Sequence, residues 1–422
     1  MTGYRVRVID AELDELLADL AAVSLEGPKG VGKTATAERR GSTVIRLDDP
    51  AIVEVVRAQP GRLTTGMPPV VIDEWQRFPE SWDLVRRAVD ADHSAGRFIL
   101  TGSATPIEPP THSGAGRIVP IRMRPLSLHE RGVGVPTVSL AELLGRTGSV
   151  EGATEIRLED YVAEIVAGGF PGMRHRSPRA QRTALDGYLA RIIDTDLPEL
   201  GVGIRKPSTL RRWLAAYAAA TATTTSYDRI RNAATPAEDE KPAKTTTIGY
   251  RDALERIWVL DPVPAWSPTS NHLSRLTASP KHHLADPALA ARLVGADART
   301  LLAGQGPDLV PHDGTYLGQL FESLVALSVR VFAQAAEATV SHYRDRNGRH
   351  EVDFIVGRNH QQVLGIEVKL SATVDDRDVR HLLWLREQLG ESLVDMVIVT
   401  TGADAYRRPD GVAVVPLALL GP

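Results

Sequence analysis

The feature that most constrains this chain is a glycine-rich stretch near its N-terminus, residues 27–34, with the spacing Gly-x4-Gly-Lys-Thr. Glycines at these positions let backbone N–H groups turn toward anionic oxygens, while the lysine adds a mobile cation and the threonine hydroxyl a ligand for magnesium. Residues 21–25 predict a buried strand before the stretch, and residues 33–39 a helix after it. A phosphate-binding loop needs that context, whereas an ordinary glycine-rich turn does not.

The stretch therefore predicts a site for the phosphates of ATP, with Mg²⁺ bound beside Thr34. Its predicted nucleotide-binding residues are Gly27, Pro28, Lys29, Gly30, Val31, Gly32, Lys33 and Thr34.

A second apolar run, residues 70–72, ends in two adjacent carboxylates, Asp73 and Glu74. A buried strand would place Asp73 at its carboxyl end, where it can hold magnesium together with Thr34. Glu74 would then orient or deprotonate the water that attacks the γ-phosphate. A strand that simply ends in solvated acids has the same pattern. The position downstream of the glycine-rich loop favours the catalytic interpretation, a Walker B strand.

Three further residues are candidates for the hydrolytic site. Thr101 and Ser103 follow the apolar run 98–100 and are placed to sense the γ-phosphate, although a Thr-Gly-Ser turn leaving a strand is the alternative. Arg117 ends the glycine-bearing loop 112–116. It would act as an arginine finger on its own or a neighbour's nucleotide, or form a structural salt bridge.

The composition is that of a soluble globular protein: 422 residues, 43% hydrophobic and 24% charged, with a formal net charge of −4. With no global positive field, any nucleic acid has to meet a local basic patch. The absence of cysteine excludes disulfides, thiolate zinc sites and cysteine nucleophiles. Because we find neither a signal-peptide pattern nor an apolar run long enough to span a bilayer, we expect a cytoplasmic protein with no membrane contact.

These motifs carry a resemblance to a known family. The chain resembles the AAA-type ATPases that have a C-terminal DUF4143 region, and the similarity covers nearly its whole length. The motifs that carry it are residues 27–34, 71–76, 100–103, 124–130, 168–171, 188–196 and 281–286. The resemblance implies an ATP-binding core of the AAA_14 type and, farther on, a winged helix-turn-helix. It leaves the physiological role open.

The middle of the chain reads as helical, with helices predicted over residues 158–166 and 181–194. Residues 174–212 hold nine Arg or Lys against four Asp or Glu, a pattern that fits phosphate-backbone contact, subunit contact or a solvated helical face. Residues 226–233 and 245–260 are similar to the helix pair of a winged helix. The polar insert 236–244 between them departs from a tight DNA-reading turn, so packing as an interface is the alternative.

The C-terminal part resembles restriction-endonuclease-like folds. An apolar helix over residues 320–332 has Glu322 in its predicted first turn, and Asn347-Gly348 predicts the turn of a hairpin that carries Asp353. On the next strand Glu367 and Lys369 alternate, so both project from one face. This is the arrangement of PD-(D/E)xK nucleases, in which carboxylates hold Mg²⁺ or Mn²⁺ and the lysine activates water. A cross-strand salt bridge on a solvated face is the simpler interpretation.

The predicted fold is α/β: a parallel-sheet P-loop domain at 1–150, a helical and winged-helix region at 151–310, and a small nuclease-like domain at 311–422. A helix over 375–389, a core strand over 394–402 and an edge strand over 412–417 would complete the last domain. The predicted metal ligands are Thr34, Asp73, Glu322, Asp353 and Glu367.

Three functions compete on these grounds. The first is an ATPase whose nucleotide state controls a DNA- or RNA-binding region, most simply as a homo-oligomer. The second is a metal-dependent nuclease that relies on Asp353, Glu367 and Lys369, with the ATPase as its gate. The third is a nucleotide-dependent interaction protein, toxin-like or regulatory, with a degenerate nuclease fold.

Overall fold

The protein builds two large sheets and a small two-stranded one, connected by helices. The computed structural model describes residues 3–103, 114–199, 201, 206–235, 241–267, 279–303, 314–345, 347–359 and 362–422. Parts of the loop before Arg117 and of the polar insert 236–244 lie outside the described residues.

The N-terminal sheet has five parallel strands in the order β2-β3-β4-β1-β5. Its strands are β1 (Ala22–Glu26), β2 (Thr43–Arg46), β3 (Val70–Asp73), β4 (Phe98–Gly102) and β5 (Val119–Arg122). Its helices are α1 (Ile9–Asp19), α2 (Lys33–Glu38), α3 (Pro50–Ala58) and α4 (Glu80–Ala91). The central strands β3 and β4 are buried along their whole length, which explains their continuous apolar runs. The predicted parallel-sheet domain is therefore found.

The middle of the chain is helical, as predicted. Its helices are α5 (Leu140–Leu144), α6 (Leu158–Ala167), α7 (Pro171–Arg174), α8 (Pro178–Arg191), α9 (Leu197–Glu199), α10 (Pro207–Ala219), α11 (Tyr227–Ala233), α12 (Lys244–Arg256), α13 (Pro287–Leu293) and α14 (Ala298–Leu302). A π-helical turn, Ile192–Asp196, continues α8. Short strands β6 (Val138–Ser139) and β7 (Gly152–Ala153) precede α6.

The C-terminal sheet is mixed and has seven strands in the order β7-β12-β13-β11-β10-β9-β8. Its elements are α15 (Gly314–Ala335), β8 (Thr339–Arg344), β9 (Glu351–Asn359), β10 (Gln362–Val368), α16 (Asp376–Leu389), β11 (Leu393–Thr400), β12 (Asp404–Arg407) and β13 (Ala413–Pro416), followed by β14 (Leu420–Gly421). The hairpin β8–β9 is antiparallel, as the Asn347-Gly348 turn predicted.

Two sequence expectations for this part were wrong. The strand at 412–417, expected at an edge, is the interior strand β13, because the polar residues of β12 form an additional strand on its free side. Glu322 is not in the first turn of its helix, since α15 begins at Gly314, eight residues earlier. The start of an apolar pattern did not mark the start of the helix.

Two strand pairings join residues 138–153 to the C-terminal part of the chain. β14 pairs in parallel with β6, and β12 pairs with β7. The segment around residues 138–153 therefore extends from the N-terminal domain onto the C-terminal sheet.

A short antiparallel ribbon lies between the two large sheets. It is formed by residues 259–263 and 281–285, with bridges between Leu260 and Leu284 and between Val263 and Lys281. Asp261 on the ribbon forms ion pairs with Arg124 (3.0 Å), Arg122 (3.7 Å) and Arg330 of α15 (2.8 Å). These guanidinium groups lower the pKa of the partly buried Asp261 well below its usual value, despite the opposing effect of desolvation.

Asp286, at the end of the same ribbon, is completely buried. One carboxylate oxygen accepts the backbone N–H of Gly169 at 2.6 Å and lies 3.4 Å from Nη2 of the buried Arg131. The other accepts the N–H of Ala288 at 2.8 Å and so caps α13. Asp286 thus joins the ribbon to both the N-terminal domain and the middle region.

Among the described residues, one helix is apolar and long enough to cross a bilayer, at Thr315–Ala335. Of its most apolar window, 72% is buried inside the protein.

Asp286→Ala should destabilise the fold by about 3–5 kcal/mol, because it removes a buried carboxylate and leaves part of the Arg131 guanidinium uncompensated. Urea unfolding of the full chain measures the loss. Asp186→Ala is the matched control, since its pair with Arg292 is exposed and should be worth less than about 1 kcal/mol. Equal losses in both variants would contradict the assigned role of Asp286.

Candidate functional site

The glycine-rich loop connects β1 to α2, and its backbone depends on glycine at two positions. A Cβ at Gly27 would lie 2.0 Å from the carbonyl oxygen of Met123, so no side chain fits there. Gly32, the N-cap of α2, has a φ of 102°, which L-residues with side chains rarely adopt. The loop therefore reaches its shape through the glycines that the motif specifies.

Lys33 begins α2 and is buried, with its Nζ donating to the carbonyl oxygens of Gly27 (2.8 Å) and Pro28 (2.9 Å). Burial lowers the pKa of Lys33 to about 8, although Glu74 and Asp73 oppose the shift. The ammonium is thus folded back onto the loop. Phosphate oxygens bound by the loop would compete with these carbonyl groups for it.

Asp73 lies at the carboxyl end of β3 and joins two predicted site residues. Its Oδ1 accepts a hydrogen bond from the Thr34 hydroxyl at 2.8 Å and another from the Thr101 hydroxyl. The register explains this, since Asp73 pairs with Thr101 across the parallel strands β3 and β4. A hydroxyl and a carboxylate held together in this way are hard oxygen donors that suit Mg²⁺.

Glu74 has a left-handed backbone, with φ 54° and ψ 44°, which turns the chain sharply out of β3. Its Oε2 accepts a hydrogen bond from the side-chain amide of Gln76 and lies 3.5 Å from the hydroxyl of Ser103. The structure therefore brings Glu74 and Ser103 together, because the parallel strands β3 and β4 that precede them end at the same edge of the sheet. Gln76 is an additional member of this group.

Arg117 forms an ion pair with Asp90 of α4, with 2.8 Å between Nε and Oδ1. Its side chain is about half exposed. Of the two roles predicted for Arg117, this structure contains the intramolecular salt bridge.

The middle region packs directly against the loop. Lys29 Nζ lies 2.6 Å from Asp196 of the π-helical turn, and the Tyr188 hydroxyl donates to the Lys29 carbonyl oxygen at 3.2 Å. Positions for a Cβ on Gly30 and Gly32 lie 3.8 Å from Phe170 and 3.9 Å from Pro171. Residues 170–196 therefore contact the loop directly, so a change in loop conformation on nucleotide binding would alter these contacts.

The N-terminal segment supports the loop from the other side. Arg7 donates from Nη1 to the Val31 carbonyl oxygen (2.8 Å), from Nη2 to the Arg124 carbonyl oxygen (2.7 Å) and from Nε to Glu130 (2.9 Å). Both members of the Arg7–Glu130 pair are buried. Glu130 also accepts the backbone N–H groups of Val8 and Ser127, so its charge is fully compensated.

The predicted nuclease-like residues also come together. Glu322 on α15 and Asp353 on β9 share one ion-pair partner, Lys281, while Glu367 on β10 pairs with Lys369 just beyond the end of that strand. Lys369 Nζ lies 3.3 Å from Glu367, and the Val368 N–H donates to Asp353 at 2.9 Å. Burial, with Asp353 adding to it, raises the pKa of Glu367 well above its usual value.

A fifth group, an ammonium, lies between two of these carboxylates. Lys281, from the ribbon, is buried and contacts both Glu322 and Asp353. Within the described ranges, no three His, Cys, Asp or Glu residues are grouped so as to hold a metal ion. The expected cross-strand salt bridge on a solvated face is not what the structure shows either, because Glu367 is buried.

Comparisons with known proteins match three parts of the chain. Residues 20–131 match a family described as an AAA domain, residues 317–420 match a domain of unknown function, DUF4143, and residues 158–300 match another, DUF8612. Residues 20–131 therefore have the sequence signature of an AAA domain.

Whole-chain relatives extend this comparison. The chain is 26% identical over 416 residues to the uncharacterized proteins Rv2008c of Mycobacterium tuberculosis and Mb2031c of Mycobacterium bovis, covering 96% of this chain and 82% of each relative. It is also similar to the Walker-type ATPase PABY2304 of Pyrococcus abyssi, with 15% identity and a TM-score of 0.37 over 67% of this chain and 94% of that one.

Two cations of the basic middle segment form ion pairs, Arg174 with Glu164 and Arg211 with Asp194. Two of its acids, Asp186 and Asp196, pair with Arg292 and Lys29, which lie outside the segment. The helix pair predicted around the polar insert is present as α11 and α12.

Sequence reasoning missed four residues that touch the sites: Arg7, Gln76, Asp196 and Lys281. Gln76 adjoins the acidic pair, and its position was a usable signal. Asp196 and Lys281 lie in the motifs 188–196 and 281–286, but those motifs did not indicate which groups the two residues contact. Arg7 is distant in sequence from the groups that it contacts, and no motif marks it.

ATP affinity of the AAA-type domain should be constant below about pH 8 and fall above it, by up to about tenfold per pH unit. The reason is that the pKa of Lys33 in the free loop is about 8, while phosphate binding favours the charged ammonium, so binding above this pH requires proton uptake. Titration with a fluorescent ATP analogue between about pH 7 and 9.5 measures the effect. Lys33→Arg, whose side chain stays charged, should give a flat profile; a flat profile in the wild type would contradict the prediction.

Proposed function

We propose that the protein binds ATP and hydrolyses it with Mg²⁺ at the loop of residues 27–34. The observation that carries this proposal is the hydrogen bond between the Thr34 hydroxyl and Asp73, which brings the cation ligands of the loop and of β3 into contact. When bound, Mg²⁺ would neutralise charge that develops on the phosphates. Thr34 and Asp73 are the residues that would hold it.

The chain's own residues supply the remaining roles. Lys33 exchanges its two carbonyl partners for phosphate oxygens, and backbone N–H groups of the loop bind the rest of the phosphate chain. Glu74 orients and deprotonates the attacking water, held in place by Gln76. Thr101 and Ser103 fix Asp73 and Glu74 and respond to the γ-phosphate. Arg117 acts as an arginine finger only if its pair with Asp90 opens.

The nucleotide state controls the C-terminal region through contacts that run across the molecule. Gly30 and Gly32 face Phe170 and Pro171, and the neighbouring Gly169 donates to Asp286. Asp286 ends the ribbon that also carries Lys281. The steps as far as Asp286 are contacts between packed groups, and the last step follows the ribbon to Lys281; packed groups and rigid elements of this kind can carry such coupling.

Further elements of the proposal concern partners and setting. The C-terminal and winged-helix-like regions contact DNA or RNA, the protein forms a homo-oligomer, and it acts in the cytoplasm without membrane contact. The alternative is a non-cleaving interaction protein, toxin-like or regulatory, whose nuclease fold is degenerate. The burial of Lys281 among the carboxylates favours this alternative.

Glu74→Gln should lower the rate of ATP hydrolysis at least about 100-fold and leave ATP binding intact, since it removes the general base and keeps the shape. Lys33→Ala should lose both. Phosphate release and binding of a fluorescent ATP analogue measure the two effects separately.

Glu54→Gln is the matched control, because Glu54 is an exposed glutamate on α3. Its hydrolysis rate should equal that of the wild type. Failure of the wild type to bind or hydrolyse ATP with Mg²⁺ would refute the proposal.

Metal-dependent cleavage is tested with single- and double-stranded DNA and RNA, in Mg²⁺ or Mn²⁺, with and without ATP. If the C-terminal region is a nuclease, Asp353→Ala and Lys369→Ala should abolish cleavage and preserve ATP binding. Asp376→Ala, at an exposed carboxylate on α16, is the control. The non-cleaving alternative predicts equal background for all four proteins, and cleavage that both site variants retain would rule out this site as its source.

A further inference from the structure

Lys281 is an unusual lysine, since it is among the largest fully buried side chains and only 1% of it is exposed. Lysine is almost never buried to this extent unless it is paired. The partners of Lys281 come from two elements of the C-terminal region, α15 and β9, although Lys281 itself lies on the ribbon.

The Nζ of Lys281 lies 2.8 Å from Glu322 Oε1, 2.9 Å from Asp353 Oδ1 and 3.3 Å from Glu351 Oε1. The ammonium donates hydrogen bonds to Glu322 and Asp353, and Glu351 adds an ion pair. The main chain fixes the lysine in place, because Lys281 and Val263 exchange both backbone hydrogen bonds at 2.9 Å. The position of the lysine is thus set by the backbone of the ribbon and by burial of its side chain.

The same contacts leave the carboxylates poorly available to a divalent cation. Asp353 uses one oxygen for Lys281 and the other for the N–H of Val368. Glu322 directs Oε1 to Lys281, and Glu367 faces Lys369. Mg²⁺ requires oxygen ligands at about 2.1 Å in near-octahedral geometry, and an ammonium between two of those ligands both occupies the space and repels the ion. The residues present therefore do not fit a divalent cation in this arrangement.

We propose that the Lys281 ammonium is the resident cation of this cluster and occupies the place between Glu322 and Asp353 that a divalent metal ion would take in a nuclease. The C-terminal region then binds no catalytic metal while the ribbon stays in place. Its carboxylates serve to anchor the ribbon to α15 and β9. This inference concerns the C-terminal cluster alone and stands whether or not the loop hydrolyses ATP.

Binding of Mn²⁺ to the nucleotide-free full chain tests the proposal, with free Mn²⁺ followed by electron paramagnetic resonance. Every protein carries Thr34→Ala, which removes the cation ligand of the phosphate-binding loop from the measurement. We expect the Thr34→Ala protein and the protein that also carries Asp353→Asn to bind Mn²⁺ equally. Lys281→Met should gain one Mn²⁺ site at least tenfold tighter than background, and Lys281→Met combined with Asp353→Asn should lose it.

Mn²⁺ binding that requires Asp353 while Lys281 is present would overturn the proposal. So would a folded Lys281→Met protein, verified by circular dichroism, that gains no site. If Lys281→Met does not fold, the comparison of Asp353 with Asp353→Asn still decides the question, because it leaves Lys281 in place.

Discussion

Buried charges on one short ribbon hold the three parts of this protein together. Asp261 neutralises arginines from the N-terminal sheet and from α15, Asp286 binds Arg131 and Gly169, and Lys281 inserts between Glu322 and Asp353. Because these charges pair across the boundaries between the parts, loss of one partner would leave another charge uncompensated in a low-dielectric interior, which is strongly unfavourable. The strand pairs that join residues 138–153 to the C-terminal sheet act in the same direction.

In this arrangement the phosphate-binding loop is contacted from two sides. Arg7 fixes the carbonyl oxygen of Val31 from the N-terminal segment, while Asp196 and Tyr188 hold Lys29 from the middle region. Phosphate oxygens would compete with Asp196 for the Lys29 ammonium and with carbonyl groups for Lys33. Under the proposed function, nucleotide binding would change charge pairing at the boundary between two regions.

The C-terminal cluster shows why a set of residues does not by itself define an activity. Glu322, Asp353, Glu367 and Lys369 are the residue types of a metal-dependent nuclease, and the fold brings them together. Their chemistry depends on a fifth residue, Lys281, because a neighbouring ammonium decides whether the carboxylates face a metal ion or a lysine. Function resides in the occupied geometry of a site rather than in its motif.

The sequence by itself determined the elements whose signals are local. The glycine spacing specified the loop, continuous apolar runs specified β3 and β4, and the Asn-Gly turn specified the β8–β9 hairpin, since turn chemistry and periodicity act over a few residues. Elements with weak local signals are not predicted. Because β12 has few apolar residues, the sequence predicts β13 as an edge strand. Only the tertiary structure decided that Lys281 enters the acidic cluster and that Arg7 and Asp196 flank the loop. These contacts join residues far apart in the chain, and charges pair according to where the packed backbone puts them.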